Sequence, residues 1–156
     1  MPEVMPWGEN DFVITDKEGR WIVLVDIKIN SERHGWDMAS SEPMPFDHSP
    51  FASTFNPEFV LTVDPSEIRL YRANPGRTFD ADSPLVTLPT AGILKHYDDE
   101  FGSKRVFLYY LSSLVEAWIR DLAYHWKSAS PPGLDRLAGT GFVEKIEGGS
   151  TQPLEV

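Results

Sequence analysis

WIVLVDIK, residues 21–28, decides the fold: five apolar residues typical of a β-strand are followed by Asp26 and, after one isoleucine, Lys28. Because side chains alternate across a strand, Asp26 and Lys28 point to the same face. A buried strand rarely accepts two charges on one face unless something compensates them. A divalent cation with a scissile phosphate would compensate them, and an ordinary ion pair at the strand end would do the same, so this stretch leaves both interpretations open.

The same strand forms the second arm of a predicted β-hairpin over residues 11–30. Its arms are rich in β-branched residues and flank a turn at 16–19 that ends in glycine. A second hairpin is predicted over residues 58–72, whose later arm alternates apolar and basic residues and so has one buried and one solvated face. The predicted strands lie at residues 12–15, 20–29, 58–63, 68–72, 83–88 and 141–146.

One long helix is predicted over residues 103–127, because apolar side chains recur there at every third or fourth position. These side chains belong to Phe107, Leu111, Leu114, Trp118, Leu122 and Trp126. A shorter helix is predicted over residues 90–97. Prolines within residues 31–55 interrupt any long helix in that segment, which indicates a long loop.

These elements predict a single α/β or α+β domain over residues 1–156, with a small mixed or antiparallel sheet of about five strands and one long helix packed on it. The lead-in at residues 1–10 and the tail at residues 147–156 lack periodicity, so we expect both to be flexible. The apolar fraction of 41% and the charged fraction of 24% are typical of a globular domain.

The net charge of −10 disfavours broad contact with the phosphates of a nucleic acid, although a small local site could still bind one. The chain has no cysteine, which excludes disulfides and thiolate metal sites and fits a reducing, cytoplasmic location. It also has no apolar run near the ~18 residues of a membrane span, and its first residues lack the features of a secretory signal. We therefore expect no membrane partner.

Asp11, Asp26 and Lys28 are the candidate catalytic residues. Two carboxylates on adjacent strands can hold Mg²⁺ or Mn²⁺, and a lysine beside them can orient water or stabilise the charge that develops on a phosphate. A turn of two or four residues places Asp11 opposite Leu24 and diagonal to Asp26, within reach of a shared cation. A three-residue turn with Gly19 in the left-handed conformation shifts the register by one residue and turns Asp11 to the other face.

The pattern Asn10-Asp11, fourteen intervening residues and Asp26-Ile27-Lys28 resembles the PD-(D/E)XK nuclease-like superfamily. The resemblance implies a restriction-endonuclease-like fold and Mg²⁺-dependent hydrolysis of nucleic-acid phosphodiesters. It also implies that Asp11 and Asp26 are metal ligands and that Lys28 is the catalytic lysine. The hairpin at 59–72, followed by the helix at 104–127, is similar to the second half of small stand-alone members.

Departures from the superfamily pattern favour an alternative function. Asn10 stands where the family usually has proline, and the ten residues before Asp11 leave no room for the usual first helix. The chain would then be a truncated or degenerate member, with its site lapsed, that acts as an interaction or regulatory protein. Its ligand would be a protein partner or a second copy of the chain.

The aromatic residues of the long helix favour core packing over a binding face, because they fall at helical spacing. They are Tyr109, Tyr110, Trp118, Tyr124 and Trp126. Side chains on more than one side of the helix leave room for a homodimer contact.

Overall fold

The computed structural model describes residues 12–29, 57–73, 80, 82–103 and 105–153. The predicted loop at 31–55 and the predicted lead-in at 1–10 lie outside these ranges. The described strands are β1 (Phe12–Thr15), β2 (Trp21–Ile27), β3 (Phe59–Val63), β4 (Glu67–Arg72), β5 (Val86–Pro89) and β6 (Thr151–Pro153). The described helices are α1 (Thr90–Leu94), α2 (Leu108–Tyr124), α3 (Leu134–Leu137) and α4 (Phe142–Ile146), with a 3₁₀ turn at Ala138–Thr140. None of these helices combines the length and the apolar character needed to cross a membrane.

The six strands form one mixed sheet in the order β5-β4-β3-β2-β1-β6, so β2 is an inner strand. β2 runs parallel to β3, and the other neighbouring strands are antiparallel. Both predicted hairpins are confirmed, because β1 pairs with β2 and β3 pairs with β4. The predicted combination of a mixed sheet with one long helix is also confirmed.

Each face of the sheet is buried along β2. One face carries Val23, Val25 and Ile27, which share one apolar cluster with side chains of the helices, and we call it the helix face. The other, called the second face, carries the alternate residues Leu24 and Asp26, which are 1% and 0% exposed. The alternation along β2 therefore points Asp26 away from the helices and into the opposite, equally buried side of the sheet.

Helix α2 supplies much of the core on the helix face, where the side chain of Trp118 is fully buried. The helix is shorter than the predicted range of 103–127. It begins after Phe107 and ends at His125, whose left-handed backbone (φ 57°) cannot continue a right-handed helix. Helix α1 also ends earlier than predicted, at Leu94.

Two segments near the C-terminus differ from the sequence-based expectations. The strand predicted at 141–146 is wrong, because this segment forms helix α4. Phe142 and Ile146 lie one helical turn apart and are both fully buried, so the segment packs its apolar residues as a helix does. The tail at 147–156, which we expected to be flexible, contains strand β6, and β6 pairs with β1.

A buried carboxylate, that of Asp121, connects the ends of α1 and α2. One of its oxygens accepts hydrogen bonds from the backbone N–H groups of Lys127 and Ser128, at 3.0 and 2.9 Å. The other oxygen accepts from the Tyr97 hydroxyl at 2.7 Å. Burial alone would raise the pKa of Asp121, but these hydrogen bonds outweigh it and hold the pKa below its ordinary value. The fold therefore stabilises the charged carboxylate.

We expect Asp121→Asn to lower the free energy of unfolding by about 2 kcal/mol at pH 7, because weaker neutral hydrogen bonds replace charge-assisted ones. The folded-state pKa is lowered, so the carboxylate contributes fully above the unfolded pKa of about 3.9 and less as the pH falls through the folded value. The difference between wild type and variant should stay constant from pH 7 to about pH 5 and shrink below about pH 4.

Urea unfolding at several pH values measures this difference. Asp99→Asn, at an exposed position, is the matched control and should change little at any pH. A difference between wild type and Asp121→Asn that grows on acidification would contradict the prediction.

Candidate functional site

Asp26 and Lys28 form a buried ion pair at the end of β2. Lys28 Nζ lies 3.4 Å from Asp26 Oδ1, and the two side chains are 19% and 0% exposed. The backbone N–H of Lys28 donates to Val63 O at 2.9 Å, which extends the pairing of β2 with β3 and fixes the position of the lysine backbone. The two charges therefore share one face of the sheet, as the alternation along β2 predicts.

Asp26 belongs to a row of polar side chains that crosses the second face. The strand registers align Asp26 with Thr62 of β3, Thr62 with Arg69 of β4, and Arg69 with Thr87 of β5. Aligned residues on neighbouring strands have their side chains on the same face. We call these four residues the polar row. Thr62, which is aligned with Asp26, is 1% exposed, so its side chain is shielded from bulk water.

Two further residues of β4, Glu67 and Tyr71, lie on the second face next to the polar row. The Glu67 carboxylate accepts hydrogen bonds from Nε of Arg69, at 2.8 Å, and from Nη2 of the same guanidinium. Tyr71 is fully buried, and burial raises the pKa of its hydroxyl, while the positive charge of Arg69 acts in the opposite direction. This side of β4, which we expected to be solvated, therefore contains a buried phenol beside a half-buried ion pair.

The third predicted site residue, Asp11, lies outside the described residues. A turn of two or four residues would pair Asp11 with Leu24, but in the structure Leu24 pairs with Val13. Gly19 adopts the left-handed conformation, with φ +86°, and an irregularity at the end of β1 shifts the pairing there. The structure thus brings two of the three predicted residues together, Asp26 and Lys28.

The oxygen atoms of Asp26 and Thr62 are hard donors of the type that Mg²⁺ takes in proteins. Within the ranges that the structure describes, no group of three or more His, Cys, Asp or Glu side chains could hold a metal ion. Asp11, the second carboxylate that the sequence pattern predicts for this site, lies outside these ranges.

The aromatic residues in and around α2 divide between core and surface. Trp118 is buried, as predicted, but Tyr109, Tyr124 and Trp126 are 71%, 50% and 52% exposed. The indole N–H of Trp126 donates to Ala117 O at 2.8 Å, which holds the exposed ring against the helix. The core-packing interpretation is therefore wrong for these three exposed residues.

Sequence reasoning did not identify Thr62, Glu67 and Tyr71 as neighbours of the candidate site. A signal was present along β4, because alternation places Glu67, Arg69 and Tyr71 on one face. The position of that face relative to Asp26 depends on the parallel pairing of β2 with β3. Parallel strands are joined by a long connection, which leaves no local turn signal from which the register can be read.

Comparison with known proteins identifies no family for this chain: no family model matches it, and no curated protein or solved structure is significantly similar to it.

Proposed function

We propose that this chain is a nuclease-like domain, with a restriction-endonuclease-like fold, that hydrolyses nucleic-acid phosphodiesters with the aid of Mg²⁺. Asp11 and Asp26 would hold the metal ion, and Lys28 would contact the scissile phosphate. The observation that carries the proposal is the buried ion pair, in which Lys28 Nζ lies 3.4 Å from a fully buried carboxylate oxygen of Asp26.

A buried ion pair adds little net stability to the face of a sheet. Removing two charges from water costs about as much as their attraction returns, and apolar residues of similar size often serve the fold equally well. Leu24, which precedes Asp26 on the second face, is apolar and 1% exposed, so this face also accommodates apolar side chains. A chemical use for the carboxylate and the ammonium accounts for their presence.

The chemistry of hydrolysis matches these two groups. Water attacks phosphorus, the bond from phosphorus to the leaving oxygen breaks, and negative charge grows on the phosphate oxygens. Mg²⁺ supplies charge neutralisation and a more acidic water when it is bound. The Lys28 ammonium would offset the growing charge, and its low exposure strengthens that interaction because less water screens it. The side chain of Thr62, which is aligned with Asp26 on β3, would help to orient the carboxylate.

Metal binding and cleavage test this proposal separately. For a site with a Kd of about 1 mM, 10 mM Mn²⁺ would stabilise the folded state by about 1.4 kcal/mol and raise Tm by about 4 °C. Asp11→Asn should remove this increase. Lys28→Ala should abolish Mg²⁺-dependent cleavage of plasmid and single-stranded DNA.

Two further variants serve as controls, one for changes outside the site and one for loss of folding. Asp99→Asn removes an exposed carboxylate outside the site and should retain both the metal effect and the cleavage. Because Lys28→Ala also removes a buried ion-pair partner, Lys28→Arg is measured beside it, with circular dichroism to verify folding. The arginine keeps the charge but differs in shape from an ammonium, so we expect a folded protein with strongly reduced cleavage. A wild-type protein that shows neither a metal effect nor cleavage overturns the proposal.

The second candidate function is a catalytically lapsed protein that acts through a protein partner or a homodimer. The observation that favours it is the set of exposed aromatic side chains in and around α2: Phe107, Tyr109, Tyr124 and Trp126. Aromatic residues are enriched in protein interfaces. This function predicts a Tm that does not respond to Mn²⁺ and a protein that cuts no nucleic acid.

A further inference from the structure

A groove on the second face lies over β4 and β5. Its volume is about 350 Å³, which is at the small end of the range for ligand-binding pockets. The described residues that line it are Glu67, Arg69, Tyr71, Asp82, Pro84 and Thr87. Two of them, Arg69 and Thr87, belong to the polar row, so the groove opens on the same face as the carboxylate of Asp26.

The groove lies close enough to Asp26 for one extended ligand to reach both. Arg69 is two strands from Asp26 in the aligned register, with Thr62 between them. Two strand spacings place about 10 Å between the backbones of Asp26 and Arg69. Two groups that are close together along one extended ligand could therefore lie in the groove and at Asp26.

The charges of these lining residues disfavour a phosphate. The guanidinium of Arg69 is already paired with Glu67, and Asp82 adds a second carboxylate to the lining. The groove nevertheless presents N–H donors directly beside a carboxylate acceptor. This arrangement complements a base edge that carries one acceptor next to two N–H donors. Guanine has that set, with O6 beside N1–H and the N2 amino group, whereas thymine has a single N–H donor.

We propose that this groove binds a guanine base of single-stranded nucleic acid, with Arg69 donating to the base oxygen and Glu67 accepting from the base N–H groups. The inference rests on the proposed function and deepens it by naming the substrate class. A base that is paired and stacked inside a duplex does not enter a groove of this kind. The net charge of −10 also offers little attraction for the two phosphate chains of a duplex.

Fluorescence anisotropy with labelled oligonucleotides tests the groove in EDTA, where neither metal nor cleavage contributes. The probes are a thymidine nonamer with one central guanosine, an all-thymidine nonamer, and the guanosine strand annealed to its complement. We expect the single guanosine strand to bind about 10-fold more tightly than the other two. Glu67→Gln should lose most of that preference. Glu116→Gln is the matched control, because it removes a carboxylate paired with Arg120 on α2.

The outcomes separate the groove from the proposed hydrolysis. A guanosine preference that Glu67→Gln loses and Glu116→Gln keeps supports the groove, even if the wild type cuts nothing. Absent binding, equal binding of the three probes, or a preference that Glu67→Gln retains overturns the groove, even if the wild type is an active nuclease. If Glu67→Gln fails to fold, Arg69→Lys replaces it, because lysine keeps the charge but lacks the forked donors that the proposal requires.

Discussion

Gly149→Ala should unfold the protein or lower its free energy of unfolding by more than about 4 kcal/mol. Gly149 is buried between α4 and β6. A Cβ atom at this position would lie 1.7 Å from the carbonyl oxygen of Thr15 and 3.0 Å from that of Ile146. Both obstacles are backbone atoms, so no rotation of a side chain can relieve the clash, and the two chain segments must move apart.

The clash falls on the contacts that join the end of β1 to the segment before β6. The Thr15 N–H donates to Ser150 O at 2.8 Å, and the Ser150 N–H donates to Thr15 Oγ1 at 3.0 Å. Separating Gly149 from Thr15 breaks both hydrogen bonds. Because β6 has only three residues, it has little pairing of its own to hold it against β1.

Urea unfolding followed by tryptophan fluorescence measures this loss. Gly139→Ala is the matched control, because a Cβ at position 139 has nothing within 4 Å. It should change the free energy of unfolding by less than about 1 kcal/mol. If the two glycine variants are equally stable, the close approach to Thr15 does not limit residue 149 and the prediction fails.

The two hairpins could be predicted because the signals that form them are local. In each, two short runs rich in apolar residues flank a turn of a few residues, and the structure pairs them as expected. Strand β6 has no such signal: Thr151–Pro153 is short and is neither apolar nor alternating. Its place in the sheet depends on contacts with Thr15, which is distant in sequence, and such contacts leave no periodic pattern.

Helix α4 shows a second limit of local patterns. Phe142 and Val143 favour a strand by residue type, and the segment is too short for helical periodicity to be distinguished from alternation. The segment is a helix because Phe142 and Ile146, which lie one helical turn apart, are both buried. That burial depends on packing against the formed sheet, so the local sequence does not reveal it.

The candidate site was predictable only in part, for the same reason. Alternation along one strand sufficed to place Asp26 and Lys28 on one face, and they form an ion pair there. That the face is buried, and that Thr62 and Arg69 continue it as the polar row, follows from the long-range parallel pairing of β2 with β3. The register of Leu24 was missed because it depends on an irregularity at the end of β1.

Lys28→Met should lower the free energy of unfolding by about 3 kcal/mol, because it removes the ammonium that compensates a buried carboxylate. The Lys28 side chain is mostly buried, and methionine fills a similar volume with an adaptable chain, so the loss of packing is small. The expected loss of stability is therefore electrostatic, and it arises because the buried carboxylate of Asp26 loses its partner.

A double-mutant cycle isolates that cost. The double variant Asp26→Leu/Lys28→Met should have a free energy of unfolding within about 1 kcal/mol of that of the wild type. Two apolar side chains on a buried face leave no charge that needs a partner. Urea unfolding measures all the variants. Lys17→Met, at an exposed position in the β1–β2 turn, is the control and should change stability by less than about 0.5 kcal/mol.

The cycle also decides what the ion pair is for. A stable double variant means that the fold does not need the two charges, so their presence on a buried face requires a chemical explanation. That variant should then be folded but unable to bind Mn²⁺ or to cut nucleic acid, which separates function from stability. A double variant as unstable as Lys28→Met would instead assign the pair to the fold, and the observation that carries the proposed hydrolysis would be lost.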